Sequence, residues 1–249
     1  MVKFYESSFT YEYSFPAVTL AYFLRYPNPY ATHVLSSDVI SRTVDPLTGQ
    51  LHTLRVHRKS SRLPSAVIKL LPKSVMGSVS GGRSESYVLE SSTIDIKEGW
   101  MKTESKNLDW TGILSVVERQ TYHRNVPDDE KEDSALGPGT TSVVTSVRFK
   151  SRLGDRLRAR AKKGEAAIAD GEDEPPKRSL LANWSTSGIQ RSIEAIASRK
   201  TASQLGHSKD GMVVVLERLR NGGLIGVLEG MRKDREMMAI GTEGGILKS

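Results

Sequence analysis

Two prolines two positions apart, in Tyr26-Pro-Asn-Pro-Tyr30, fix a stiff corner in this chain. Before it lies an apolar segment, Ala17 to Leu24; after it lies a run rich in Val, Ile and Thr, from His33 to Val44. Proline locks its own φ and drives the preceding residue out of the helical region. A helix must therefore stop at Pro27 and Pro29, and the chain must leave the corner extended. Arg25 stands at the junction. Beside a helix C-terminus it would complement the helix dipole, which is its purely structural role. Facing a polar mouth, it would bind an anion.

The rest of the chain places this corner in a fold. Residues 9–15, Phe-Thr-Tyr-Glu-Tyr-Ser-Phe, alternate apolar and polar, the period of a half-buried strand. Residues 16–26 open with a proline suited to a first helical turn, and Val18, Ala21, Tyr22 and Arg25 share a helical face. Runs 33–44 and 51–58 flank Asp45-Pro-Leu-Thr-Gly-Gln50 and predict a hairpin. A Gly/Ser-rich loop is expected over 77–84, then strands over 85–95, 99–107, 113–123 and 141–149. Residues 127–139 and 164–178 are polar insertions with too little apolar content to pack. The C-terminal third is helical, beginning with a basic helix over 151–163. Ile189, Ile193 and Ile196 and then Met212, Val215, Leu216 and Leu219 fall at helical spacing, in two pieces separated around Gly206 and Gly211. After Asn221-Gly-Gly223 the Gly-rich tail, 221–249, carries no assignment. The order strand, helix, strands, long helix predicts an α+β domain over 1–220, an antiparallel sheet curled round one helix. If the helix stands off the sheet, an elongated apolar cavity remains between them.

The chemistry-bearing residues favour a container over a catalyst. The five histidines have no ligand spacing and there is no cysteine, so no metal site and no cofactor is expected. No Gly-x-Ser-x-Gly, phosphate loop or His-Glu-x-x-His occurs. No 18-residue apolar run crosses a membrane, and the acidic, aromatic N-terminus is unlike a transit peptide. Asn183-Trp-Ser185 matches a glycosylation acceptor only by chance where no secretory signal is read. The net charge of +7 calls for an anionic partner. Residues 148–163, with Asp155 as their sole acid, hold as much excess charge as the whole chain. That run is a solvated face, or the footprint of a nucleic-acid binder whose aromatics would then be misplaced in the strands. A lipid hydrolase built from scattered Ser, His and Asp is the remaining enzymatic alternative.

Lys59 and Arg62 follow Arg55, His57 and Arg58 along the second hairpin strand. They protect a sheet edge, or they bind a phosphate through charge-assisted hydrogen bonds. The proline-bracketed apolar segment Leu63 to Pro72 comes next, dotted with Lys69. An anion site beside an apolar flap suits a lipid with a phosphate head.

Tyr26-Pro-Asn-Pro-Tyr30, His33-Val-Leu35, Ile40-Ser-Arg-Thr-Val-Asp45, and Met101-Lys102 through Asn107-Leu-Asp109-Trp-Thr-Gly-Ile113 resemble the PRELI family of mitochondrial intermembrane-space lipid-transfer proteins, in its fungal phosphatidic-acid-carrying branch. The resemblance covers residues 1–125 well and is patchy over 140–220. It implies a seven-stranded antiparallel sheet gripping a long C-terminal helix around an internal lipid cavity. It implies a carrier, not an enzyme, that shuttles phosphatidic acid to supply cardiolipin synthesis; the related phosphatidylserine-carrying branch shares the corner. It places the lipid head on Arg25, His33, Lys59 and Arg62, and a membrane-contacting lid on Leu63, Val67, Ile68, Lys69, Leu70 and Leu71. Trp184 matches a tryptophan of the last helix. Gly188 and Ala195 stand where lysines are expected, leaving Arg191, Arg199 and Lys200 as substitutes. The implied partners are phosphatidic acid, a cardiolipin-rich anionic membrane surface and a small helical protein with twin Cys-x9-Cys motifs, with no nucleic acid. The implied location is the intermembrane space, at the periphery of the inner membrane.

Overall fold

A computed structural model describes residues 2–62, 79–80, 83–111, 114–125, 139–151 and 186–243, with side chains described over 4–60, 84–111, 114–125, 139–150 and 205–239. Eight strands and two helices are found there: β1 (Val2–Tyr11), α1 (Phe15–Phe23), β2 (Val34–Val44), β3 (Leu51–Arg62), β4 (Val79–Ser80), β5 (Arg83–Asp95), β6 (Trp100–Asn107), β7 (Leu114–Asn125), β8 (Thr140–Ser151) and α2 (Thr186–Glu243). Seven strands form one antiparallel path, β1-β8-β7-β6-β5-β3-β2, and the two-residue β4 pairs with β5 off that path. The α+β expectation of a seven-stranded sheet with a long C-terminal helix therefore holds.

β1 and β2 follow each other in sequence but occupy opposite edges of the sheet. The chain between them must cross the inner face, and α1 with the proline corner makes that crossing. α1 is consequently buried on nearly every side, with Phe15, Val18, Ala21 and Tyr22 at 1% exposure or less. It packs against Ile94, Met101, Tyr122 and Val143 of the sheet and against Met212, Val215 and Leu216 of α2. Each such fully buried side chain contributes about 1.5–3 kcal/mol, so this cluster fixes where α1 ends and where the corner lies.

The boundaries differ from expectation in instructive places. β1 spans 2–11 and not 9–15, because ten residues pair with β8 and supply ladder hydrogen bonds that the weak alternation near Ser7 did not announce. Phe15 instead opens α1, with Pro16 in its first turn. α1 stops at Phe23 with Leu24 as its C-cap, so Arg25 is the first residue past the helix. β3 is an interior strand between β2 and β5, so Arg55, His57 and Lys59 do not guard an edge. α2 passes Gly206 and Gly211 without a break. The cost of a helical glycine, about 1 kcal/mol, is offset at Gly211 by close packing on the corner.

The break comes at Gly223, with φ 58° and ψ −155°, a region open essentially to glycine alone. Along a straight helix Arg218 and Asp234 would be roughly 24 Å apart, at 1.5 Å per residue. Their side chains meet at 2.6 Å, so residues 224–243 of the tail left unassigned from sequence form a second helical arm that folds back on the first. Val227 of this arm is fully buried in the core. The insertions 127–138 and 164–178 and the proposed lid, 63–71, lie outside the described residues. So does most of the expected basic helix; its first residue, Ser151, is the end of β8.

Candidate functional site

Strand register sorts the inward residues of the sheet into rows. One row, Leu51, Ile94, Met101, Tyr122 and Val143, is apolar and packs on α1 and α2. The next, Thr53, Ser92, Thr103, Gln120 and Thr145, is polar and buried. The third is Arg55, Glu90, Ser105, Glu118 and Val147. Beyond it stand His57, Val88 and Asn107, with Val116 and Phe149 opposite each other. The first row closes the interior. Gln120 of the second row, Ser105, Glu118 and Val147 of the third and the residues beyond line a cavity of about 1340 Å³, together with Arg25, Tyr26, the corner and part of α2. Pockets for drug-sized ligands occupy about 300–1,000 Å³, so this one has room for something larger.

Arg25 and His57 line the cavity, and behind them lies a buried ionic cluster. Glu90, 1% exposed, receives Arg25 Nη2 on Oε2 and Arg55 Nη2 on Oε1, with Arg55 Nε also donating to Oε1 at 2.9 Å. Arg55 Nη1 donates to the Phe23 carbonyl at 3.1 Å, which ties the cluster to the end of α1. His57 Nε2 lies 3.2 Å from Glu90 Oε2. The Arg25 guanidinium rests over the Tyr22 ring at 4.0 Å and near the Tyr26 ring at 4.8 Å. Burial alone would raise the Glu90 carboxyl; Arg25, the His57 contact and Arg55 overcome it and hold Glu90 well below the usual carboxylate range. Burial pushes the His57 imidazole down, against the pull of Glu90 and with help from both arginines, so it is neutral near pH 7. One carboxylate thus faces two guanidinium groups, leaving an excess positive charge.

Three buried atoms of this cluster, Arg25 Nε and the two ring nitrogens of His57, have no hydrogen-bond partner among the described residues, His57 Nε2 making only its contact with Glu90. Buried polar atoms without partners are uncommon, and here all three belong to residues that line the cavity. Above them, Glu118 accepts from Gln120 Nε2 at 2.8 Å, and Gln120 accepts from the Tyr122 hydroxyl at 2.6 Å. Burial raises the Glu118 carboxyl, opposed by Arg25 and Lys59.

The corner holds Arg25 in place through Asn28. Its Nδ2 donates to the Arg25 carbonyl, and its Oδ1 accepts from the Tyr30 amide at 2.9 Å. His33 is fastened to β3, since its carbonyl accepts from the Ser60 amide at 2.8 Å. The second motif is a turn between β6 and β7. Asn107 Nδ2 donates to the carbonyls of Asp109 and Leu114, Asp109 Oδ2 accepts from the Tyr87 amide, and Trp110 sits at φ 65° within this frame.

Of the head-binding residues named from sequence, Arg25, His33 and Lys59 all line the cavity. Arg62 ends β3 and its side chain lies outside the described residues. The lid residues Leu63, Val67, Ile68, Lys69, Leu70 and Leu71 lie outside them altogether, as does Trp184. Arg191, Arg199 and Lys200 belong to α2, with side chains outside the described set. Sequence reasoning missed Glu90 and gave Arg55 and His57 no separate role. Their signal was present: Thr53, Arg55 and His57 alternate with Leu54 and Val56, and a strand that turns charges to its buried face holds a site.

Known proteins are similar to this sequence in part. Protein UPS1, mitochondrial, of Saccharomyces cerevisiae is 36% identical over 162 residues, covering 65% of this chain and 80% of its own. Protein ups1 homolog of Schizosaccharomyces pombe is 36% identical over 136 residues, 55% of this chain and 71% of its own. Human PRELI domain-containing protein 1, mitochondrial, is 29% identical over 192 residues, 73% and 82%. A Streptomyces aromatase/cyclase structure superposes with a TM-score of 0.43 at 10% identity, over 90% of this chain and 99% of that one. The pattern of the PRELI-like family matches residues 16–164, which take in α1, the corner, the ionic cluster and every strand but β1, and the chain belongs to that family.

Proposed function

We propose that this chain is a phospholipid carrier that takes phosphatidic acid from one membrane, holds it in the cavity and releases it unchanged to another. One observation carries this reading: a large cavity lined by Arg25 and Lys59, with Arg55 and Glu90 buried behind Arg25, and by the apolar side chains Val88, Val116, Val147 and Phe149. Moving two acyl chains into water costs on the order of 20–25 kcal/mol, at about 0.8 kcal/mol per CH₂. A dry cavity replaces the bilayer during transit. A phosphomonoester head carries about −1.5 to −2 charges at neutral pH, and burying it unpaired is prohibitive. Arg25, which shares Glu90 with Arg55 behind it, and Lys59 supply positive charge beside the carboxyl of Glu118, and His57 and His33 supply further polar contacts. Arg62 and a lid over 63–71 complete the site at the membrane surface, where Lys69 meets anionic lipid.

Membership of the family, and relatives called mitochondrial, support a place in the intermembrane space at the inner-membrane periphery, upstream of cardiolipin synthesis. A small helical twin Cys-x9-Cys protein is the proposed heterodimer partner. Phosphatidylserine is a second reading, drawn from Glu118: its carboxyl, beside Arg25 and Lys59, would pair with an ammonium group.

The test is transfer of labelled phosphatidic acid, phosphatidylserine and phosphatidylcholine between donor and acceptor vesicles, with the recovered lipid checked by mass. Phosphatidic acid should move fastest and intact. Equal transfer of phosphatidylcholine would remove the headgroup site, and a hydrolysed product would replace the carrier with an enzyme.

A further inference from the structure

Gly226, Gly230 and Asp234 recur every four residues along the second arm of α2 and so share one face. That face receives Arg218 of the first arm. A Cβ on Gly226 would lie 3.2 Å from the Arg218 carbonyl oxygen, and one on Gly230 would lie 2.6 Å from its guanidinium carbon. At the end of this track Asp234, 2% exposed, accepts Arg218 Nη1 at 2.6 Å and Nη2 at 3.2 Å. With Gly223 as the bend and Val227 buried in the core, the arm is anchored at three places. Its far end, Met237, Met238 and Ala239, lies on the wall of the same cavity that Arg25 and Lys59 line. The arm and its partner Arg218 lie beyond residues 16–164, where the family pattern matches.

We propose that the folded-back arm, residues 224–239, is a wall of the lipid cavity, with Met237 and Met238 touching the acyl chains of the bound anionic phospholipid. This rests on the carrier reading above. Methionine is unbranched and polarizable, so it adapts to chains of different shape. The arm thereby sets how firmly the lipid is retained, and the Arg218–Asp234 pair sets how firmly the arm is held.

The full chain is loaded from phosphatidylcholine vesicles containing phosphatidic acid with a photoreactive diazirine near the end of one acyl chain. It is then irradiated and its peptides are mapped. Labelling should reach both the Met237–Met238 peptide and the sheet peptides holding Val116 and Phe149. Labelling of the sheet without the arm overturns the wall and leaves the carrier standing. Labelling of neither overturns both. In the Asp234→Asn variant, release of bound phosphatidic acid to acceptor vesicles should quicken about tenfold, the scale of one charge-assisted hydrogen bond. Unchanged release together with retained arm labelling would show that the pair is no latch, and would overturn that part of the proposal.

Discussion

Gly211 of α2 meets the Asn28 carboxamide so closely that a Cβ at position 211 would stand 2.9 Å from both its nitrogen and its oxygen. Asn28 cannot retreat, because its two polar ends are committed to the Arg25 carbonyl and the Tyr30 amide. This contact clamps the proline corner against the long helix.

Gly211→Ala should therefore destabilise the protein, although alanine is the better helix former by about 1 kcal/mol. Overpacking against a fixed partner costs about 1–3 kcal/mol, and it wins here. Thermal unfolding should fall by several degrees; a raised midpoint would show that the corner gives way.

Glu90 is the sole carboxylate between Arg25 and Arg55 in the cluster, so Glu90→Gln leaves two buried cations facing a neutral amide. Removing one partner of a buried ion pair costs about 3–5 kcal/mol. Urea unfolding should record a loss of that order. A loss below about 1 kcal/mol would mean that solvent reaches the cluster.

The same residue makes the fold acid-sensitive. Its folded-state carboxyl lies below the ordinary value of 4.5, so its contribution is complete above that pH and is lost as pH falls further and the carboxyl takes up a proton. Stability measured from pH 6 to pH 3 should fall more steeply in the native chain than in Glu90→Gln. Parallel curves would assign the acid sensitivity to other groups.

Arg25 is a poor probe of lipid binding, since Arg25→Glu would set a second carboxylate against Glu90 and disturb the fold itself. Lys59 is half-buried and lines the cavity. Lys59→Gln should slow phosphatidic acid transfer about tenfold, the scale of one charge-assisted contact, while the unfolding midpoint stays nearly unchanged. Native-like transfer would take Lys59 out of the head site.

Glu118 separates the two lipid readings. Glu118→Gln removes a carboxyl that attracts Arg25 and Lys59, so it should free both for the head and speed phosphatidic acid transfer several-fold. If phosphatidylserine is the cargo, the same change should slow its transfer by a similar factor. No change for either lipid would place Glu118 away from the head.

The hairpin β2–β3, the strands β5 to β8 and the helical C-terminal third were legible because alternation, β-branching and turn residues are local signals. The corner was legible because proline acts on its own neighbours. Arg25, His33 and Lys59 could be picked out, but not what holds them. Glu90 lies 65 residues from Arg25, and only strand register brings the two together. The bend at Gly223 was hidden for the same reason: glycine permits the turn, but Arg218, Asp234 and Val227 decide that it is taken. Composition and short-range pattern, then, determined that this chain forms a curled sheet with a helix and a cationic corner. Which charges neutralise each other, which cations keep an excess, and where the tail comes to rest were decided by tertiary structure, because ion pairing in a buried site depends on distances across the fold and not along the chain.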